Sequence, residues 1–266
     1  MDSRARNLLD EALGLDQLTQ SKSPLGGKAV LIEDCVETSG SFVLHQLIKR
    51  LLTATSNSSN VVLFLAFANP FSHYDRILRK LGCNLAAQRE KGRFIFVDML
   101  NVQCPVGEEG KAGGGRSGLF ALFANITKVL NSLPEGNRKC LTIVIDDVSL
   151  IEVAAHGSSD HVLDFLHYCH ALTSNHHGCS LVMLNHDDFY SSMDRPVFLK
   201  QMEYAADVLV KVKPLATGLA ADVHGQMTVL NRDQCNRRGS LNNRMSNFQF
   251  RIKENSVEYF YPGART

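Results

Sequence analysis

Apolar residues along this chain fall into two alternating patterns. Unbroken apolar runs at 29–33, 61–68, 94–97, 141–145 and 181–184 predict strands. Between them, apolar residues recur at helical spacing. Val43, Leu44, Leu47, Ile48 and Leu51 form one such stripe, and Phe71, Tyr74, Ile77, Leu78 and Leu81 another, opposite Arg76, Arg79 and Lys80. Residues 119–133 read as a helix ending before Pro134, and Val162, Phe165, Leu166, Cys169 and Leu172 mark a further helix face. Strands this uniformly apolar are buried on both faces. Strands alternating with amphipathic helices build a mostly parallel sheet flanked by helices. The expected class is therefore α/β, of the doubly wound kind. The pattern changes after residue 205. Val208, Val210 and Val212 alternate with Leu209, Lys211 and Lys213, and 225–230, 247–252 and 257–261 are strand candidates with no helix between them. That end is expected to extend the sheet as antiparallel C-terminal hairpins.

Three segments read as loops: 55–60, which is polar, 105–118, with six glycines, and 233–246, rich in Asn, Arg and Ser. No internal repeat divides the chain. The reading is an N-terminal extension over 1–27 and one domain over 28–266, with mobile loops at about 105–118 and 233–246. Its 266 residues suffice for a large core without disulfides or metals. The 28 Lys and Arg against 27 Asp and Glu exclude attraction of the whole molecule to polyanions, so any such contact needs a local patch. An apolar run of eight residues, 61–68, is too short to span a bilayer. The start has no seven-residue apolar stretch of the secretory kind, and Asp2, Asp10, Glu11 and Asp16 argue against a mitochondrial leader, which gives an expected cytoplasmic and nuclear location. The seven cysteines contain no Cys-x-x-Cys pair and read as reduced thiols.

The first strand, its turn and the next helix stand where a phosphate-binding loop would sit. That loop needs glycine, four residues, then Gly-Lys-Ser/Thr, so that backbone N–H groups and the lysine hold phosphate and the hydroxyl holds magnesium. Here Gly40 matches the second glycine, but Cys35 replaces the first, Ser41 the lysine and Phe42 the hydroxyl. Glu33, Asp34 and Glu37 add carboxylates, and 33–42 contains no cation. The turn is expected to be a degenerate P-loop, with Ser39 or Thr38 capping the helix. Leu141–Ile145 followed by Asp146 and Asp147 is similar to the strand that holds magnesium beside a P-loop. An acid at that place also commonly caps the next helix. Together these suggest an ATPase frame without its phosphate chemistry.

His161, His167, His170, His176, His177 and Cys179 cluster in sequence, but without a zinc-ligand spacing such as His-Glu-x-x-His. Ser158, Ser159, Asp160 and His161 hold the residue types of a hydrolase triad, yet sequence neighbours cannot form its line, so a helix start is the better account. No catalytic residue, cofactor site or metal site is expected. For nucleic acid, 231–254 carries six bases against two acids, and Arg237 and Arg238 lie on its loop. A second candidate is 185–200, with Tyr190, Arg195 and Lys200, where a cation can meet phosphate and an aromatic ring can stack on a base.

Several blocks together resemble one family. Gly40-Ser41-Phe42, Phe71-Ser72-His73-Tyr74, Lys80-Leu81-Gly82, Asp146-Asp147-Val148-Ser149, the segment 162–169, Leu215-Ala216-Thr217-Gly218 and Asp222-Val223-His224-Gly225-Gln226 are similar to the sixth-subunit family of the Elongator complex, and most similar to its plant members. The likeness covers the chain from about residue 28. It implies a RecA-like ATPase fold lacking ordinary Walker motifs and a non-catalytic role, with nucleotide hydrolysis attributed to the assembled ring and a site at a subunit boundary left open. It also implies assembly with Elongator subunits four and five into a hetero-hexameric ring. That ring binds tRNA and joins the catalytic subcomplex that modifies the wobble uridine, U34. RecA-like analogy would place Arg195 and Lys200 towards bound tRNA. Two other readings stay open: a nucleotide hydrolase with an atypical phosphate site, and a recombinase-like module acting on DNA.

Overall fold

The computed structural model describes residues 7–15, 25–53, 60–100, 114–138, 140–174, 179–190, 197–218, 220–232 and 243–263. Its centre is a sheet of nine strands. In chain order they are β1 (Ala29–Asp34), β2 (Val61–Ala66), β3 (Phe94–Asp98), β4 (Leu141–Ile145), β5 (Ser180–His186), β6 (Val208–Lys213), β7 (Gly225–Arg232), β8 (Asn243–Ile252) and β9 (Val257–Phe260). They lie side by side as β3-β2-β4-β5-β1-β6-β7-β8-β9. β1 to β6 run parallel, and the β6–β7, β7–β8 and β8–β9 pairs are antiparallel.

The sheet has two apolar faces because its inner strands alternate large apolar residues to either side. Val30, Ile32, Val62, Phe64, Val182 and Leu184 enter one core, and Leu31, Leu63, Leu65, Ile143, Leu181 and Met183 the other. Burial on both faces is why these strands read as continuous apolar runs. The first core is roofed by α2 (Ser41–Thr53) and α3 (Phe71–Lys80), with α4 (Leu85–Glu90) beside β3. The second is roofed by α5 (Gly114–Ser132), α7 (Val148–Ala154), α8 (Ser159–Ser174) and α9 (Val197–Ala205), with short α6 (Glu135–Arg138) between α5 and β4.

Several elements depart from the sequence reading. α5 opens at Gly114, inside the segment expected as a loop, and residues 105–113 lie outside the described residues. β8 likewise opens at Asn243, inside the other expected loop, of which 233–242 is not described. β6, grouped by alternation with the hairpins, pairs parallel with β1 through Val30↔Val208 and Ile32↔Val210. The crossover that permits this is α9, whose nine residues precede it.

The segment read as an N-terminal extension contributes α1 (Leu8–Leu13). The Asn7 side chain accepts the Leu9 N–H, and Gly14, at φ 76°, closes the far end in the left-handed region that glycine adopts freely. α1 lies across the C-terminal hairpins with Leu9, Ala12 and Leu13 buried. Asn231 Nδ2 donates to the Ala12 carbonyl at 3.2 Å, and Arg244 pairs with Glu11 at 2.8 Å.

Candidate functional site

β1, β4 and β5 end side by side, and their carboxyl ends form the place where ligands bind in open α/β sheets. Asp34 ends β1. Its Oδ2 accepts the backbone N–H of Gly40 at 2.5 Å, the amide that a phosphate-binding turn would offer to phosphate. The turn between them is tight. Thr38 N–H donates to the Cys35 carbonyl at 3.0 Å, and a Cβ on Gly40 would stand 3.0 Å from Ile32 Cγ2 and 3.2 Å from Asp34 Cβ. Glycine is needed here for that close approach. Ser39 Oγ accepts the Ser41 N–H at 3.2 Å, as expected of a residue at the helix start. Phe42, in the magnesium-ligand place, packs on Phe250 with ring centroids 4.7 Å apart.

Sequence spacing alone left these carboxylates without a cation, and the topology corrects that. His186, at the end of β5, stands opposite Asp34 in the β1–β5 register. Its Nδ1 is 2.5 Å from Asp34 Oδ1 and its Nε2 3.2 Å from Asp147 Oδ2, so both ring nitrogens face carboxylates. The bonds to Asp147 and Asp34 push the imidazole pKa up to about 10, against burial. Burial favours a raised Asp147 carboxyl, but the bonds from His186 and Ser149 outweigh it and hold it below its usual value. Lys211 on β6 brings a second cation, with its Nζ 2.9 Å from Glu33 Oε2 and bonded to Glu203. Burial nevertheless pushes Glu33 up to about 7. Glu33, Asp34, Cys35, Asp187, Tyr190 and Lys211 line an open cleft of about 430 Å³.

The two acids after β4 have separate jobs. Asp147 caps α7, accepting the Leu150 N–H at 3.1 Å. Asp146 accepts from the backbone N–H groups of Phe67 at 2.7 Å and Ala68 at 3.0 Å and from the Tyr74 hydroxyl at 2.5 Å. These carboxylates are engaged by the chain itself. Among the described residues, no group of three or more His, Cys, Asp or Glu side chains could hold a metal ion. His167 is exposed on α8, His161 is half-buried, and His176 and His177 lie outside the described residues. Ser158 Oγ accepts the His161 N–H at 3.4 Å, near the start of α8, and Ser159 donates to Glu152 at 2.5 Å.

The histidine bridge gives stability a measurable pH dependence. The folded-state pKa of His186 exceeds its usual 6.5. Its contribution is therefore fully present below about pH 6.5 and is lost as pH rises through about 10. Glu33, also raised, acts in the same direction between its usual 4.5 and about 7. Unfolding free energies from pH 6.5 to 10.5 should show the wild type losing its margin over His186→Gln as pH rises. A constant margin across that window would refute the bridge.

Arg195, Arg237 and Arg238 lie outside the described residues, and Lys200 is exposed on α9. Tyr190, offered as a base-stacking ring, is only 2% exposed and sits against Phe198. The described bases of 231–254 are engaged within the chain. Arg232 donates to the carbonyls of Glu203 and Ala206 at 2.6 and 2.9 Å. Arg244 pairs with Glu11, Arg251 lies 3.4 Å from Asp222, and Lys253 pairs with Glu258. No sequence spacing signals the His186 bridge, because its three members come from separate strand ends.

A KaiC-like protein from the archaeon Pyrococcus horikoshii has the same fold, with a TM-score of 0.59 at 13% identity, over 88% of this chain and 90% of its own. The sheet thus belongs to the RecA-like class. The Elongator complex protein 6 of rat is 29% identical over 251 residues, 89% of this chain and 91% of its own. The human protein of that name is 28% identical over 253 residues, with the same two shares. The slime mould Dictyostelium discoideum has one 22% identical, spanning 92% of this chain and 93% of its own. Residues 12–254 match the family described as Elongation complex protein 6, nearly the whole described sheet with part of α1, and the chain belongs to that family.

Proposed function

We propose that this chain is a non-catalytic subunit of the Elongator accessory ring, assembled with subunits four and five, which supports tRNA binding and modification of the wobble uridine in the cytoplasm and nucleus. Family membership supports a place in the Elongator complex. One observation carries the non-catalytic part of the reading: the Asp34 carboxylate takes the Gly40 N–H, so the turn already holds an anion of its own where a nucleotide phosphate would sit. A bound phosphate would have to displace Asp34 from both Gly40 and His186, with no lysine at residue 41 to compensate. A charged hydrogen bond contributes about 1.5–3 kcal/mol, so that exchange is unfavourable.

Titration of the isolated chain with Mg-ATP tests this reading. Binding no tighter than millimolar is expected, and Ser41→Lys alone should not create a good site, because Asp34 and Phe42 remain. A micromolar, magnesium-dependent affinity abolished at Gly40 would favour the rival reading of a nucleotide hydrolase with an atypical phosphate site. Native mass measurement with subunits four and five tests the ring. Competition between tRNA and duplex DNA on the assembly separates this role from a recombinase-like one.

A further inference from the structure

Charge is unevenly spread over this near-neutral chain. Residues 41–100 hold eight Lys and Arg against three Asp and Glu, whereas the whole chain carries +1. The fold gathers that surplus in one helical layer, where α2 meets α3 and α3 meets α4 beside β3. On α3, Arg76, Arg79 and Lys80 are three and four residues apart, on the side away from buried Tyr74 and Leu78. Lys49 and Arg50 lie near the end of α2, and Lys91 follows α4. Lys49 and Arg50 at the end of α2 line one pocket with Leu81, which follows α3, and burial raises the Cys83 thiol pKa while Lys49 and Arg93 both act to lower it.

Local carboxylates neutralise part of this. Asp75 takes Arg79 at 2.6 Å and Asp10 takes Arg50 at 3.5 Å, while Glu254 reaches Lys80 only at 3.9 Å. Arg79 and Lys80 remain 60% and 57% exposed. Among the described residues, Lys49, Arg76 and Lys91 have no ion pair.

Most of the apolar surface lies elsewhere. Of the large apolar side chains exposed among the described residues, Leu100, just past β3, is the only one within 41–100. Val36, Phe120, Phe189, Tyr204 and Met245 are typical of where the others fall. Protein-binding patches centre on aromatic and apolar anchors and are poor in lysine. A cationic surface without such anchors suits a phosphate backbone.

We propose that the end of α2, the outer face of α3 and the residue that closes α4 form a contact surface for the phosphate backbone of RNA, through Lys49, Arg76, Arg79, Lys80 and Lys91. The choice of RNA rests on the tRNA-binding role proposed above. The surface reads no bases, so it positions any tRNA alike.

The test uses the purified complex containing the full chain, with tRNA affinity measured between about 50 and 200 mM salt. The Lys49→Gln/Arg76→Gln/Lys80→Gln variant should bind all tRNAs more weakly. Its plot of log affinity against log salt should be shallower by about two to three units per bound copy, roughly 0.9 for each phosphate no longer neutralised. Lys49→Arg/Lys80→Arg should keep the wild-type slope. An unchanged slope in an intact triple-variant complex overturns this surface while leaving the tRNA role standing. Failure of the variant to assemble, with its own fold intact, overturns the proposal by making the surface a protein interface. Equal displacement of tRNA by duplex DNA overturns the assignment to RNA. A wild-type complex that binds no tRNA overturns the functional reading and this surface together.

Discussion

Asp146→Ala should destabilise the fold by about 3–5 kcal/mol, the loss expected when buried groups are left without their partners. Its carboxylate is 3% exposed and accepts three hydrogen bonds, two from backbone N–H groups that follow β2 and one from buried Tyr74. Alanine would leave all three donors without that partner, each costing about 1–3 kcal/mol and less in sum as the site relaxes. Asp147→Ala loses a helix cap and one arm of the His186 bridge. It should cost about 1–2 kcal/mol, the range for a cap whose second bond is partly exposed to solvent. Urea denaturation of the two variants measures both. Near-wild-type stability in Asp146→Ala, accompanied by loss of a nucleotide-dependent activity of the assembled complex, would make this acid functional instead.

The strand-end acid was legible in the sequence and its task was not. The run Leu141–Ile145 gave β4 correctly because both its faces are buried, and either capping or magnesium binding could follow from the acids after it. What assigns the tasks is the neighbouring strand. β2 lies beside β4, which brings Phe67, Ala68 and Tyr74 to Asp146 from more than seventy residues away. The same holds at the phosphate turn. Glu33 and Asp34 looked like repelling charges while only their sequence neighbours were counted, and the order β5-β1-β6 supplies His186 on one side and Lys211 on the other. The long periodic helices α2, α3 and α8 were readable. Short α1, α4, α7 and α9 were not, because two turns or fewer, or little more, give too few repeats to show a period. Basic residues were sought in segments read as loops, and Arg195, Arg237 and Arg238 lie outside the described residues. The larger described surplus sits on the polar faces of helices already recognised, whose arginines and lysines passed as ordinary solvated positions.

Phe165→Ala should cost about 3–5 kcal/mol, and Leu166→Ala about 2–5 kcal/mol. Both lie on the stripe of α8 that packs on the second face of the sheet, at 2% and 5% exposure. Removing the phenyl ring empties a space bordered by the sheet and neighbouring helices, none of which can close in without disturbing the rest. His167, the next residue along, is exposed, and alanine there should change stability by less than about 0.5 kcal/mol. Thermal and urea unfolding of the three variants give the ranking. A histidine variant less stable than either apolar truncation would mean that α8 presents a different face to the sheet.

The docking of α1 on the C-terminal hairpins has a consequence for how the chain is made. Leu9 and Leu13 leave the ribosome well before the surface that buries them, which is built from β7, β8 and β9. At 5–20 residues per second, the roughly 210 residues between α1 and β7 leave that apolar helix waiting about 10–40 s for its partner. During synthesis its two leucines are exposed hydrophobic bait, the kind of segment that chaperones hold. A premature stop anywhere before β7 would release a chain in which α1 lacks the strands that bury Leu9 and Leu13.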